Sequence, residues 1–290
     1  MSKSHEHKIV RQTLDRVGKN WSLSSLTVQK RIANLKDIGR FMSRQGLNNI
    51  TNMKTRHVDA FVRSLREDRQ LAPSTLQGYV TALRVIATAI GKAHIVKSNE
   101  ELGATRPNSD RFKNSETPSN IELLGEIKEA LNAKNDWQGA AFEMQEQFGL
   151  RIKESLGANR VEHIDGKEYL RIPAGFTKNG LERRVEISTD AQRAILDRVN
   201  AIKTVQGTPG IIPEKFSLKQ AYWKQVNSIR SLGGTKANHA NSHCLRREHI
   251  RERYSNIKDM PDKSAREDAK QKLIEEVGHF DTDKLKHYTK

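Results

Sequence analysis

Residues 160–188 read RVEHIDGKEYLRIPAGFTKNGLERRVEIS, and this stretch decides the fold class. Asp165-Gly166 and Asn179-Gly180 are two tight hairpin signals, because both residues of each pair accept the positive φ that a two-residue turn requires. Between them Tyr169, Leu170 and Ile172 supply strand formers, and Val185 and Ile187 follow the second turn. The pattern predicts a small antiparallel sheet of three strands.

On both sides of this stretch the periodicity is helical. Helices are predicted over residues 121–133 and 136–148 before the sheet. After Thr189, Ile195, Leu196, Val199 and Ile202 fall in helical register, and Gly207 to Pro213 reads as a loop. Further helices are expected over roughly residues 217–231, 243–256, 262–277 and 282–288.

The first third carries amphipathic helices of its own. Over residues 24–44, Val28, Ile32, Leu35, Ile38 and Met42 share one face, with Ser24 or Ser25 as cap and Gly46 as stop. Residues 56–67 repeat the pattern with Val58, Phe61, Val62 and Leu65. After Pro73 a third helix carries Leu76, Tyr79, Val80, Leu83, Ile86 and Ile90, and ends at Gly91. One small core results, with Lys30, Arg31, Arg40, Arg44, Arg63, Arg66 and Arg84 left outside. Residues 97–120 break the periodicity with turn and linker chemistry. The expected fold is therefore mainly α with a small antiparallel β-sheet, in two domains: helical residues 1–96, a linker over 97–120, and an α+β domain over 121–290. Arg106 to Lys113 would suit a strap along a phosphate backbone or a solvated tether.

Composition bounds the partner. The chain has 290 residues, with 51 Lys+Arg against 35 Asp+Glu, a net charge of +16. A charge that large draws a protein to polyanions, nucleic acid above all, with an anionic membrane as the rival. No apolar run approaches the roughly 20 residues that span a bilayer, and Met1 to His7 lacks the apolar core of a secretory signal. No membrane partner is expected. Cys244 is the single cysteine, which precludes an intrachain disulfide, excludes a cysteine zinc cluster and fits a reducing cytoplasm. His5 and His7 are read as a solvated terminal pair, not a metal site.

Four short patterns carry candidate chemistry. They are Gly149-Leu150-Arg151-Ile152-Lys153-Glu154-Ser155, the hairpin run around Lys178, His243-Cys244-Leu245-Arg246-Arg247, and Val277-Gly278-His279 followed by Tyr288. Singly, each has a plain reading: a helix start with surface charges, a solvated lysine beside a turn, a basic helix that touches DNA, and a frayed terminal tyrosine. On a helix, positions 243 and 246 lie on one face, so an imidazole and a guanidinium can converge.

Together and in this order, they resemble the tyrosine recombinase, or phage integrase, family. Its members show an Arg followed three residues later by an acid, a hairpin Lys, a His-x-Leu-Arg box, a Gly-His pair and a Tyr near the C-terminus. Arg151 with Glu154, Lys178, His243 with Arg246, Gly278-His279 and Tyr288 match those positions. The N-terminal helices resemble the family's core-binding domain, including the Leu71-Ala72-Pro73-Ser74-Thr75 lead into its last major helix.

The resemblance implies a site-specific recombinase that cuts and rejoins duplex DNA through a 3′-phosphotyrosyl link on Tyr288. It implies no cofactor, neither metal nor ATP, a homo-tetramer on paired DNA sites, and a cytoplasmic, nucleoid-associated location. The chemistry asks for these residue types. Planar, always ionised guanidinium groups at Arg151 and Arg246 suit the non-bridging oxygens of a phosphate gaining charge. His243 and His279 can donate hydrogen bonds or handle protons near neutral pH. Lys178 resembles the acid that protonates the leaving 5′ oxygen, and Glu154 the group that orients Arg151 or a neighbour. DNA contacts are expected from Lys30, Arg31, Arg40, Arg44, Arg84, Arg183 and Arg247.

The sequence departs from the family pattern twice. The stretch from Arg246 to His279 is longer than usual, and its charged middle from Asp259 to Lys272 reads as an inserted loop or extra helical turn. The sequence also stops two residues after Tyr288, where many members continue into a segment that docks on a neighbouring subunit. Either the sequence is shortened there or subunits communicate another way. Two other classes stay open: a non-catalytic DNA-binding protein on this fold, and a type IB topoisomerase.

Overall fold

Pro73 shows how local chemistry sets the helical boundaries. It opens a helix where its absent N–H costs nothing, and Gly91 (φ +72°) follows at the far end, in a conformation that a side chain resists. The computed structural model describes residues 3–18, 25–106, 117–134, 136–178 and 180–278. The chain divides into two units, residues 1–108 and 109–290.

The first unit contains α1 (Lys3–Val17), α2 (Ser25–Arg44), α3 (Thr55–Arg66) and α4 (Pro73–Ala89). Leu35, Ile38 and Met42 of α2, Val58, Phe61, Val62 and Leu65 of α3, and Leu76, Tyr79, Val80, Leu83 and Ile86 of α4 are buried in one core. Val28 and Ile32, expected on the same face, are only half-buried. Helix α1 was not expected, because its apolar residues are few. It packs on α2, buries Ile9 completely, and approaches so closely that a Cβ on Gly39 would lie 3.0 Å from the Val10 Cα. His5 and His7 therefore sit on a folded helix, His5 half-buried, and not on a loose terminus.

Part of the segment read as linker also folds onto this unit. Leu102 and Ala104 are buried in its core. Arg84 donates to the Asn99 Oδ1 (2.9 Å) and to the Lys97 carbonyl (3.0 Å), holding that segment in place. Of the expected phosphate strap, all but Arg106 lies outside the described residues, as does the Ser24 alternative for the α2 cap.

The second unit begins with α5 (Ile121–Lys134), α6 (Asp136–Phe148) and the one-turn α7 (Ile152–Ser155). The sheet follows as β1 (Arg160–Ile164), β2 (Lys167–Ile172) and β3 (Arg183–Glu186), antiparallel in the order β1-β2-β3. Asp165 (φ +50°) and Gly166 (φ +74°) make the predicted tight turn, so that Ile164 pairs with Lys167. The second connection differs from the expected two-residue hairpin. Pro173 ends β2, a single 3-10 turn (Ala174–Phe176) follows, and β3 resumes only at Arg183. Asn179 lies outside the described residues.

Helix α6 packs Trp137, Ala140, Ala141, Met144 and Phe148 into one core with Leu170, Ile172 and Val185 of the sheet. Ile195, Leu196, Val199 and Ile202 of α8 (Asp190–Gln206) close that core. Then come α9 (Leu218–Ser231), α10 (Ser242–Lys258) and α11 (Lys263–Glu276). The stretch read as an insertion is thus a full helix, started by Asp262, whose carboxylate accepts from the Ser264 and Ala265 N–H groups (3.1 Å each). Ile250 and Ile257 of α10 pack on Leu273 and Ile274 of α11 and on Val277. The helix expected over 282–288 lies outside the described residues.

Candidate active site

The candidate residues come from four pieces of backbone in the second unit. Arg151 stands at the start of α7, where the Glu154 side chain reaches back to accept from its N–H (2.8 Å) and from its Nη1 (2.7 Å). His243 and Arg246 occupy the first turns of α10, which the Asn241 side chain caps by accepting from the His243 N–H (3.0 Å). Lys178 is exposed in the connection between β2 and β3. His279 and Tyr288 lie outside the described residues.

Arg246 ties two of these pieces together. Its side chain is buried, with Nη1 donating to the Gly149 carbonyl (2.6 Å) and Nη2 to the Val277 carbonyl. The first anchor precedes Arg151 and the second precedes Gly278-His279.

His243 is held neutral. Packing around its ring, and then the charges of Arg246, Arg151, Arg247 and Lys236, lower its pKa to about 4. Both candidate arginines contribute to that shift, and His243 is an exposed, neutral imidazole. Such a group donates one hydrogen bond and accepts another, and an arriving anion would raise its pKa.

Glu154 is completely buried. Burial works against its charge, but Arg183 hydrogen bonds and the Arg183 and Arg151 charges outweigh that and hold its carboxyl at about 2. Arg183 grips it with Nη1 to Oε1 (3.0 Å) and Nη2 to Oε2 (2.7 Å), while its Nε donates to the Glu276 carbonyl (2.7 Å).

A second histidine, not anticipated from sequence, supports the Arg151 turn. A Cβ on Gly149 (φ +60°) would lie 2.6 Å from the His249 Cδ2, so both backbone and space demand glycine there. Burial first, then the Arg253 and Arg246 charges, lower the His249 pKa to about 4. The unfolded chain would bind this proton near pH 6.5, the folded chain only near pH 4. The stability that neutral His249 contributes is therefore complete above about pH 6.5 and is lost as pH falls toward about 4. Wild-type protein should lose about 1–2 kcal/mol more than His249→Asn between pH 7 and pH 5. Parallel denaturant-midpoint curves for the two proteins would refute it.

Three expected DNA-contact residues have partners within the protein. Arg183 is held by Glu154 and Glu276, and Arg84 by Asn99 and Lys97. Arg247 is buried, its Nη2 donating to the Ser119 Oγ (2.7 Å) where the chain enters α5. Lys30, Arg40 and Arg44 are exposed and Arg31 is half-buried. Arg40 lies 3.6 Å from the Glu6 carboxylate. Among the described residues no cluster of His, Cys, Asp and Glu could hold a metal ion, and no helix is long and apolar enough to cross a membrane.

The second unit of this mainly helical chain thus carries a three-stranded sheet together with Arg151, Arg246 and a neutral His243. Residues 8–96 match the family model described as phage integrase, N-terminal. No curated protein matches the chain in sequence. Among solved structures, the XerH site-specific recombinase bound to difH substrate in a pre-cleavage complex matches with TM-score 0.62 and 18% identity, over 100% of this chain and 81% of that one. A lambda integrase dimer bound to a COC′ core site matches with TM-score 0.60 and 17% identity, over 99% and 76%. A lambda integrase tetramer bound to a Holliday junction matches with TM-score 0.56 and 17% identity, over 98% and 77%. The fold is that of the tyrosine recombinases. Residues 8–96 thus match the N-terminal domain of phage integrases, and the whole chain shares the fold of these recombinase and integrase structures.

Proposed function

We propose that this protein is a site-specific recombinase that cuts and rejoins duplex DNA through Tyr288, without metal or ATP. The observation that carries the reading is the bond from the Arg246 Nη1 to the Gly149 carbonyl, which brings the start of α10 against the Arg151 turn from nearly a hundred residues away in sequence. Two guanidinium groups beside a neutral imidazole suit a phosphodiester whose charge grows as it is attacked.

In this reading the Tyr288 Oη attacks phosphorus and the bond to the 5′ oxygen breaks. Lys178 supplies the proton that the leaving oxygen takes up. Arg151 and Arg246 hold the non-bridging oxygens, while His243 and His279 donate hydrogen bonds or manage the phenol proton. The 3′-phosphotyrosyl link conserves the bond energy, so the 5′ hydroxyl of a second strand can reverse the step without ATP. Residues 1–96, with the start of the following stretch folded onto them, act as the core-binding domain, the rest of 97–120 connects it, and 121–290 carry catalysis. Four copies on two DNA sites, at the nucleoid in the cytoplasm, complete the proposal. Its support is likeness to DNA-bound recombinases, one of them a tetramer.

A nicked suicide duplex tests this directly. The expected product is a covalent protein–DNA band, and a protein that only binds DNA would never yield one. Relaxation of any supercoiled plasmid, without paired sites, would favour a type IB topoisomerase instead. EDTA should leave the cleavage rate unchanged, since the proposed charge stabilisation comes from arginines; loss of cleavage in chelator would revive a metal mechanism.

A further inference from the structure

We propose that Arg183 is a positioning residue that keeps the charge of Arg151 available to a phosphate, by taking up the charge of Glu154. The inference rests on the recombinase reading only in assigning that phosphate to DNA. Glu154 is fully buried, and its carboxylate must have a cationic partner. Arg151, its neighbour by three positions, gives it one Nη bond and keeps about a quarter of its side chain exposed, at 27%. Arg183 instead meets it with both Nη groups and is only 9% exposed. The three groups together carry one net positive charge. Without Arg183 the same carboxylate would face Arg151 alone, cancel its charge and draw its guanidinium inward.

Arg183 is also placed to align the pieces that the proposed chemistry needs. It begins β3, five residues after Lys178. Its Nε holds the Glu276 carbonyl, and a Cβ on Gly278 would lie 3.3 Å from its Cδ. One side chain therefore joins the Arg151 turn, the sheet strand after Lys178, and the backbone leading to His279.

The test uses full-length wild type, Arg183→Gln, Arg183→Lys and the double variant Glu154→Gln/Arg183→Gln. Two readouts apply: the cleavage rate on a nicked suicide duplex, and titration of the Arg151 side-chain NMR signal with inorganic phosphate. Arg183→Gln should slow cleavage about 100-fold, the scale of a lost transition-state donor, and weaken the phosphate response of Arg151 about tenfold. Removing the Glu154 charge as well should restore most of both, although the double variant lacks the same alignment bonds. A merely structural Arg183 would leave the double variant no better than the single one, and that result overturns the proposal. If Arg183→Gln does not fold, Arg183→Lys decides. It keeps the charge and should stay within about tenfold of wild type, whereas an Arg151 unresponsive to phosphate in that variant would also overturn it. Absence of any covalent band from wild type would remove the recombinase reading, while the phosphate titration would still decide the role of Arg183.

Discussion

Tyr288→Phe is expected to yield no covalent protein–DNA complex while binding the same duplex almost as tightly as wild type. The substitution removes one oxygen, the atom proposed to form the phosphotyrosyl bond. No hydroxyl remains on that ring to attack phosphorus. On the proposed reading, affinity would rest on many Lys and Arg contacts to phosphates in a chain of net charge +16, so one phenol should change it by less than about 1 kcal/mol. The check pairs a suicide-substrate gel with an anisotropy titration at fixed salt. Retained cleavage would remove Tyr288 from its role. Lost binding together with lost cleavage would show that the phenol holds the fold or the DNA, not the bond.

Arg246→Ala should cost both rate and stability, and Arg151→Ala mainly rate. Each variant removes a guanidinium proposed to stabilise the transition state, a loss of about 100- to 1,000-fold in cleavage rate. Their surroundings differ. Arg246 is buried and donates to the Gly149 and Val277 carbonyls, which alanine would leave without those donors. Two lost charge-assisted hydrogen bonds should destabilise the protein by about 2–5 kcal/mol. Arg151 is partly exposed, and its partner Glu154 keeps Arg183 when Arg151 is removed, so the stability cost there should stay near 1 kcal/mol. Denaturant midpoints and cleavage rates per folded molecule separate the two effects. An unchanged cleavage rate in either variant would reject the paired arginines. Equal stability losses would mean that Arg246 does not brace the site as its bonds indicate.

Much of the fold could be read directly from spacing. The apolar positions of α3 and α4 recur at helical intervals, and they are the residues found in the first core. The β1–β2 turn was legible because Asp165-Gly166 is a local device whose partners are its immediate neighbours. Where partners are distant, local signals misled. Asn179-Gly180 carries the same turn chemistry as Asp165-Gly166, yet Pro173 ends β2 early and the connection is long. Helix α1 escaped notice because its stability comes from packing against α2 across Gly39, a contact no window of sequence contains.

The charged residues divide the same way. By itself the sequence determined which residue types stand at which positions: two arginines, a histidine three residues before the second, a lysine beside an Asn-Gly pair, and an excess of cations suited to a polyanion. It could not rank those cations. Arg183 and Arg247 look like any surface guanidinium in the string, but tertiary packing buries both, one on Glu154 and one at Ser119, while Lys30 and Arg44 remain exposed. Tertiary structure alone also decided that Arg246 spans Gly149 and Val277, and that His249 sits against the Arg151 turn. The physical reason is desolvation. A charge taken out of water must find a partner wherever the folded chain brings one, and that partner is set by three-dimensional proximity, not by distance along the sequence.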